Sequence, residues 1–167
     1  MRCSNQFTCL LLSVMVLPFC SSRDTITAST VSRIPYPGNE TLVSAGKQFE
    51  LGFFTPNGSS DLRRYIGTWC YRSDPPIIVW VTNCYVPPVG HTGSFGLLDA
   101  NLQLWNVEGP IWSSNAMGSN YLTRFAKLLD TGNLVLMEDD GSESIRWQSF
   151  ENLTNTFLTG MRKTDDF

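Results

Sequence analysis

Three tryptophan-centred segments recur along the chain at a nearly constant spacing. They lie at 79–83 (VWVTN), 111–115 (IWSSN) and 146–150 (RWQSF), so their tryptophans are 32 and 35 residues apart. A period of that size indicates repeated supersecondary units, none of which buries its apolar face alone. We therefore expect Trp80, Trp112 and Trp147 to share one core.

The segments between these tryptophans have the pattern of short strands. The second and third units begin alike, LDANLQLW at 98–105 and LDTGNLVL at 129–136, and each is followed by a run of turn residues. Apolar and polar residues alternate at 49–53 and 102–104, whereas no window of 12 or more residues keeps a helical period. The sequence predicts an all-β chain of three strand-turn-strand units around an aromatic core.

The first 22 residues are predicted to be a secretory signal peptide. Arg2 supplies a positive charge, 13 largely apolar residues follow from Phe7 to Phe19, and small residues precede Arg23. Thirteen residues are too few to span a bilayer, which takes about 20. The net charge of −3 becomes −4 without Arg2, and with a pI near 5 this disfavours a nucleic-acid partner.

Two of the five cysteines remain after removal of that segment, and their pairing is open. Cys70 and Cys84 in a secreted chain favour a disulfide. A regular hairpin around 73–76 would instead place Cys84 opposite Tyr65 and Cys70 opposite Val79, too far apart for a bond.

Three sequons favour a secreted glycoprotein. The acceptor residues are Asn39, Asn57 and Asn152, each in a turn-rich context where a glycan would meet no packing obstacle.

Residue types argue against an enzyme, a metal or a cofactor. His91 is the single histidine, and no phosphate loop, nucleophile elbow or zinc-ligand spacing occurs. The acid pair Asp139-Asp140 lies in a turn sequence without further ligands nearby, which is typical of solvated turn acids.

Several long motifs, in order, resemble a known family. They are 39–56, 64–69 (RYIGTW), 79–83, 128–136 (LLDTGNLVL) and 147–150. This set resembles the plant bulb-type (monocot mannose-binding) lectin domain in the ectodomain of S-locus, or G-type lectin, receptor-like serine/threonine kinases. The resemblance implies a β-prism II fold, with three four-stranded sheets in pseudo-threefold arrangement. It predicts a lectin domain over 23–150 and a truncated C-terminal linker over 151–167.

The resemblance also implies where sugar would bind, on a strand of the form Gln-x-Asp-x-Asn-x-Val-x-Tyr. Alternate residues of a strand share one face, so their polar groups can converge on neighbouring hydroxyls. In the second unit the five positions are Leu97, Asp99, Asn101, Gln103 and Trp105. Asp and Asn match, and Trp105 offers an aromatic face; alternatively, Asp99 and Asn101 are turn residues that bond local backbone.

The third unit keeps less of the pattern, and the first unit has no version of it. Aligned on its Asn, the third unit reads Leu129, Thr131, Asn133, Val135 and Met137. Only Asn133 and Val135 match, and Asn133 after a glycine also fits a turn.

Two functions follow as expectations. The first is a secreted, extracellular (apoplast) lectin-fold module that binds a mannose-type glycan or a cell-surface glycoprotein, with homodimers common in this fold. The second is a truncated receptor-kinase ectodomain with degenerate sugar sites, inactive or acting as a decoy or partner of a full-length receptor-like kinase.

Overall fold

The computed structural model describes residues 23–28, 33–56, 64–84, 92–118 and 123–152. The predicted signal peptide, Asn57, His91 and the linker beyond Asn152 lie outside these ranges. Apart from one 3-10 turn at Ser149–Glu151, the regular structure of the described residues is β-strand. The strands are β1 (Thr25–Thr27), β2 (Ile34–Tyr36), β3 (Leu42–Val43), β4 (Phe49–Phe54), β5 (Tyr65–Cys70), β6 (Ile78–Val81), β7 (Gly93–Leu98), β8 (Asn101–Asn106), β9 (Gly109–Ser113), β10 (Arg124–Leu128), β11 (Leu134–Glu138) and β12 (Ile145–Gln148).

The strands form three antiparallel sheets of four strands each, which confirms the predicted fold class. The first sheet has the order β3-β4-β5-β6, the second β2-β7-β8-β9 and the third β1-β10-β11-β12. Each tryptophan segment lies on the last strand of its sheet, at the same place in each unit.

In the second and third sheets, the first strand comes from the N-terminal part of the described chain: β2 joins the second sheet and β1 joins the third. In the second sheet Ile34 pairs with Phe95, and in the third sheet Ile26 pairs with Ala126. These pairings join residues 60 to 100 positions apart, so no local sequence pattern announces them. The sequence predicted the repeated hairpins but did not predict this exchange of edge strands.

The three repeated tryptophans meet at the centre of the molecule, as predicted. The ring centroids of Trp80, Trp112 and Trp147 lie 5.7 to 6.3 Å apart, and all three pairs are edge-to-face. Such pairs add about 0.5–1.5 kcal/mol each beyond the burial of their area. The indole of Trp80 also donates to the carbonyl oxygen of Asn152 at 2.9 Å, so the 3-10 turn is fastened to this centre.

Strand alternation gives each sheet an inner and an outer face. On β8, Leu102 and Leu104 are fully buried in the core, whereas Gln103 and Trp105 are half-buried and face outward. The outer faces are therefore the surfaces that can meet a ligand.

No disulfide joins the two cysteines of the described part. Cys70 ends β5 opposite Phe49, whereas Cys84 follows Thr82, whose amide donates to the carbonyl oxygen of Ile66. Four residues of strand separate these two levels, or about 13 Å. Because a disulfide needs Cα atoms within about 7 Å, the sheet itself excludes the bond that the sequence had left open.

Candidate functional site

A tight turn divides the predicted sugar-binding strand of the second unit. Asp99 and Ala100 have φ of 49° and 59°, and the flanking residues Leu98 and Asn101 pair directly. Two positive φ values in a two-residue loop are typical of the hairpin turn that suits strand twist. The expectation that all five positions share one strand face is therefore wrong, because the chain reverses between Leu97 and Asn101.

Three of the five positions nevertheless lie together on the outer face of the second sheet. Leu97 packs against the core, and Asp99 is exposed in the turn. Asn101, Gln103 and Trp105 follow one another at alternate positions of β8, each half-buried. The site that the structure assembles is thus the outer half of β8 with the turn acid at its end.

The Asn101 side chain is largely committed to the fold. Its Oδ1 accepts from Ser114 Oγ at 3.0 Å and from the Ala116 amide at 2.7 Å, while its Nδ2 donates to the Asp99 carbonyl oxygen at 3.3 Å. These bonds fix the end of β9 and the turn relative to β8. The sequence alternative, in which Asn101 bonds local backbone, agrees with this geometry.

The third unit repeats the same hydrogen bonds, but its asparagine is buried. Asn133 Oδ1 accepts from Ser149 Oγ at 3.1 Å and from the Phe150 amide at 3.2 Å, and its Nδ2 donates to Gln148 Oε1 at 2.8 Å. Val135 has no exposed surface. A sugar ring cannot contact these two residues as they stand. Of the other aligned positions, Thr131 is exposed in the turn and Met137 is half-buried on β11.

The first unit satisfies the equivalent backbone amide with an asparagine in place of a serine, again just after the last strand of its sheet. The amides of Leu102 and Leu134 donate to Ser114 Oγ and Ser149 Oγ. In the first sheet Tyr65 stands where the other units have Asn, and the Ile66 amide donates to Asn83 Oδ1 at 3.3 Å. Asn83 is buried, and sequence alignment by strand position did not find it because it lies after β6.

Gln103 and Trp105 leave ligand-accessible groups on the second sheet. Gln103 Nε2 donates to the Leu98 carbonyl oxygen at 3.0 Å. The Trp105 ring lies over Gly96, where a Cβ would meet Cη2 at 3.5 Å. Among the described residues, no hydrogen-bond partner is found for Trp105 Nε1. The Gln103 amide oxygen and the Trp105 indole are therefore available on this face, and the exposed Asp99 carboxylate lies in the turn at its end.

The acid of the third unit, Asp130, accepts a hydrogen bond from the protein's own backbone. Asp130 Oδ1 accepts from the Gly46 amide at 2.7 Å, which links the β10–β11 turn to the β3–β4 turn. A Cβ on Gly46 would lie 2.8 Å from the same carboxylate, so glycine is needed for the close approach. Asp130 and Asp99 are both exposed, so the hydrogen bond to Gly46 is what separates the two acids.

A buried arginine supports the turn of the second unit. Arg124 on β10 is 4% exposed, and its Nη1 donates to the Ala100 carbonyl oxygen at 2.9 Å while Nη2 donates to the Met117 carbonyl oxygen at 3.3 Å. It thereby joins the third sheet to both loops that border the candidate site. No sequence pattern around Arg124 predicted that its side chain would support these loops.

The resolved pKa shifts lie at the β11–β12 hairpin, away from this site. Hydrogen bonds from Ser142 lower the pKa of Asp140. The hydrogen bond to Glu138, at 2.7 Å, raises the pKa of Arg146. The hydrogen bonds of Asp140 to Ser142 agree with the prediction that Asp140 is a turn acid.

The described ranges hold neither a cluster of metal-ligating side chains nor a membrane-spanning helix. No group of three or more His, Cys, Asp or Glu side chains is placed there to hold a metal ion. In the same ranges, no helix is both long and apolar enough to cross a bilayer.

Comparisons with known proteins give one consistent result. The D-mannose binding lectin family matches residues 77–167. A G-type lectin S-receptor-like serine/threonine-protein kinase of Arabidopsis thaliana is 47% identical over 130 residues, covering 76% of this chain and 15% of the kinase. The S-locus-specific glycoprotein S6 of Brassica oleracea is 35% identical, covering 92% of this chain and 36% of the glycoprotein. The chain thus spans a minor part of these relatives.

A solved structure shares the fold. The Japanese Marasmius oreades lectin superposes with a TM-score of 0.53 at 15% identity, covering 76% of this chain and 90% of that lectin.

Proposed function

The chain belongs to the D-mannose binding, bulb-type lectin family, and from that premise we propose that it binds a mannose-type glycan on the outer face of its second sheet. The glycan of a cell-surface glycoprotein is the ligand that such a module meets outside the cell. Three side chains carry the contact: Asp99, Gln103 and Trp105.

One observation supports this site above the other two sheets. The Asp99 carboxylate is exposed in the turn that precedes β8, and the half-buried Gln103 and Trp105 follow along the outer face of that strand. A carboxylate and an amide oxygen accept hydrogen bonds from sugar hydroxyls, and an indole covers an apolar ring face while its N–H donates. Asn101 contributes through its second amide hydrogen and mainly holds the turn. In the third sheet Asn133 and Val135 are buried, so we assign the sugar contact to the second sheet and a structural role to the third.

The signal-like segment and the sequons support an extracellular glycoprotein. Asn39 and Asn152 are both exposed, although Asn152 Nδ2 donates to the Gln148 carbonyl oxygen at 3.1 Å. A glycan on Asn152 would take one of the two amide hydrogens and leave the other for that bond, and one on Asn39 would meet no such contact. We propose secretion to the apoplast with glycosylation at Asn39, Asn57 and Asn152.

A second candidate rests on the relatives. Receptor kinases of Arabidopsis thaliana match 76 to 92% of this chain at 34 to 47% identity. Two of the three inherited sugar positions are closed or replaced. In this alternative the domain acts as a decoy or partner that associates with a full-length receptor ectodomain, or with a second copy of itself, and binds no sugar.

Chromatography of the secreted chain on immobilised mannose tests the proposal. We expect the wild type to be retarded and Asp99→Ala to elute with at least about fivefold weaker binding, since a charged hydrogen bond is worth about 1.5–3 kcal/mol. Asp139→Ala, another exposed turn acid, is the matched control and should bind as the wild type does. An unretained wild type that co-purifies with a receptor-kinase ectodomain would favour the second candidate instead.

A further inference from the structure

An exposed arginine lies at the edge of the candidate site on the second sheet. Arg33 comes directly before β2, whose first residue, Ile34, is buried and pairs with Phe95 of β7. Because side chains alternate along a strand, Arg33 starts on the outer face, where its side chain is exposed. Its Cβ lies 3.1 Å from the place that a Cβ on Gly96 would occupy. Arg33 therefore lies over the middle of this face.

The Trp105 ring lies over the same glycine. Trp105 Cη2 is 3.5 Å from that Cβ position, and Gln103 is the direct cross-strand partner of Gly96. Since glycine has no side chain to separate them, Arg33, Gln103 and Trp105 surround one point of the outer face. The proposed sugar site thus has a cation at its β2 edge.

Within the described part of the chain, the charge of Arg33 is not neutralised by an ion pair. Arg23 Nη2 donates to the Arg33 carbonyl oxygen at 3.5 Å, but the Arg23 guanidinium is itself paired with Glu40 at 3.6 Å. The exposed acid of the site, Asp99, lies in the turn that precedes β8, whereas Trp105 lies near the other end of that strand. The outer face therefore has an acid at one end and a cation at the β2 edge.

The other two sheets have threonine at the place of Arg33. Counted from the buried residue of the first strand, the equivalent positions are Thr41 in the first sheet and Thr25 in the third. Thr41 Oγ1 donates to Glu50 Oε1 at 2.8 Å. Thr25 Oγ1 donates to Asp24 Oδ1 at 2.8 Å. Each threonine is joined to a carboxylate of the protein, so the cation is particular to the second sheet.

We propose that Arg33 makes the second-sheet site selective for an acidic sugar, namely a mannose-type ring that carries a carboxylate at C6. The inference rests on the proposed function, because Gln103, Trp105 and Asp99 contact the ring itself. A guanidinium is a planar fork whose N–H groups match the two oxygens of a carboxylate. A C6 carboxylate projects from the edge of the ring, so it can meet Arg33 while the ring covers the indole.

Titrations of the full chain, labelled with 15N-tryptophan and 15N-arginine, test this inference with four probes. Methyl mannoside is the neutral ring, and methyl mannosiduronate has a carboxylate at C6. The methyl ester of the uronate removes the charge with little change of shape, and acetate carries a carboxylate without a ring. The Trp105 indole N–H reports on the ring and the Arg33 Nε–H on the carboxylate. Trp105→Phe and Arg33→Thr assign the two signals.

We expect the uronate to half-saturate the Trp105 signal at about one third of the concentration that the neutral ring or the ester needs, as for an exposed ion pair. The uronate should also shift the Arg33 signal. In Arg33→Gln and Arg33→Thr the three sugars should bind alike. Arg72→Gln, at another exposed arginine, is the matched control and should keep the preference. Thermal unfolding curves that match the wild type show that each variant keeps the fold.

The outcomes separate this inference from the proposed function. If the three sugars bind the wild type alike, the proposed site stands and the inference is wrong. The inference is also wrong if the uronate preference survives in Arg33→Gln, or if acetate shifts the Trp105 signal as the uronate does. If no sugar moves the Trp105 signal, the proposed function and the inference fail together.

Discussion

At the residue scale, Gly67 of the first sheet is more tightly confined than Gly96 of the second sheet. A Cβ on Gly67 would lie 2.7 Å from the carbonyl oxygen of Trp80 as well as from the Phe54 ring. A backbone oxygen in a paired strand cannot move aside. At Gly96 of the second sheet, the nearest atom would be the Arg33 Cβ at 3.1 Å, a milder contact.

Gly67→Ala should therefore lower the free energy of unfolding by about 2 kcal/mol, within the usual range for overpacking. Gly96→Ala should cost clearly less. Urea denaturation of both variants checks the order. Equal losses would show that the strain on Gly67 is relieved in a way that the packing does not indicate.

The asparagines that the lectin pattern marks as sugar ligands make hydrogen bonds within the protein here and stabilise the fold. Asn133 is 7% exposed and makes three side-chain hydrogen bonds. Asn133→Ala should cost about 2 kcal/mol or more, because buried partners are left unsatisfied. The exposed Asp139→Ala is the control, and chemical denaturation is the measurement. A loss within 0.5 kcal/mol of the control, the usual range for neutral surface changes, would contradict the structural role of Asn133.

At the element scale, Arg124 couples strand β10 to the two loops of the candidate site. Its guanidinium binds carbonyl oxygens of Ala100, Ala116 and Met117 from a buried position. A lysine ammonium has no planar fork with which to reach several carbonyls at once.

Arg124→Lys should destabilise the fold by about 1–3 kcal/mol and weaken mannose retention. Arg72→Lys, at an exposed arginine between β5 and β6, is the matched control and should change both properties little. Thermal unfolding and affinity chromatography of the same preparations measure the two effects. Retention that is unchanged in Arg124→Lys would mean that the turn holds its place without the arginine.

Strand β1 is the element that sequence reasoning could not place. Its three residues pair with β10 across 100 positions, and Ile26 is fully buried. The tryptophan repeat predicted three hairpins because each hairpin is local, whereas a three-residue strand carries no pattern of its own. For a related reason the sequence left the turn at Asp99-Ala100 as one of two alternatives: alternation alone does not show where a strand reverses.

Ile26→Asp should therefore unfold the third sheet, since it buries a charge that has no partner in the apolar centre. Ile26→Val, which keeps an apolar side chain at the same position, should cost only about 0.5–1.5 kcal/mol. Circular dichroism and the melting temperature distinguish them. Two variants of equal stability would show that β1 contributes nothing to the fold.

At the scale of the whole molecule, the three sheets share one centre but have taken different roles. The tryptophan spacing predicted that centre, and the motifs predicted the fold class. The motifs did not predict how far each outer face remains a binding surface, because that depends on hydrogen bonds such as those of Asn133 and Asp130. Of the inherited sugar positions, the outer half of β8 is the one that the structure leaves open.

The most direct test of this account is a crystal structure of the secreted chain soaked with a mannose-type oligosaccharide. The account predicts a sugar ring within about 4 Å of the Trp105 indole, with a hydroxyl donating to the Asp99 carboxylate. A sugar bound at Asn133, or a second sheet left empty at saturating sugar while its outer face is free of lattice contacts, would contradict it.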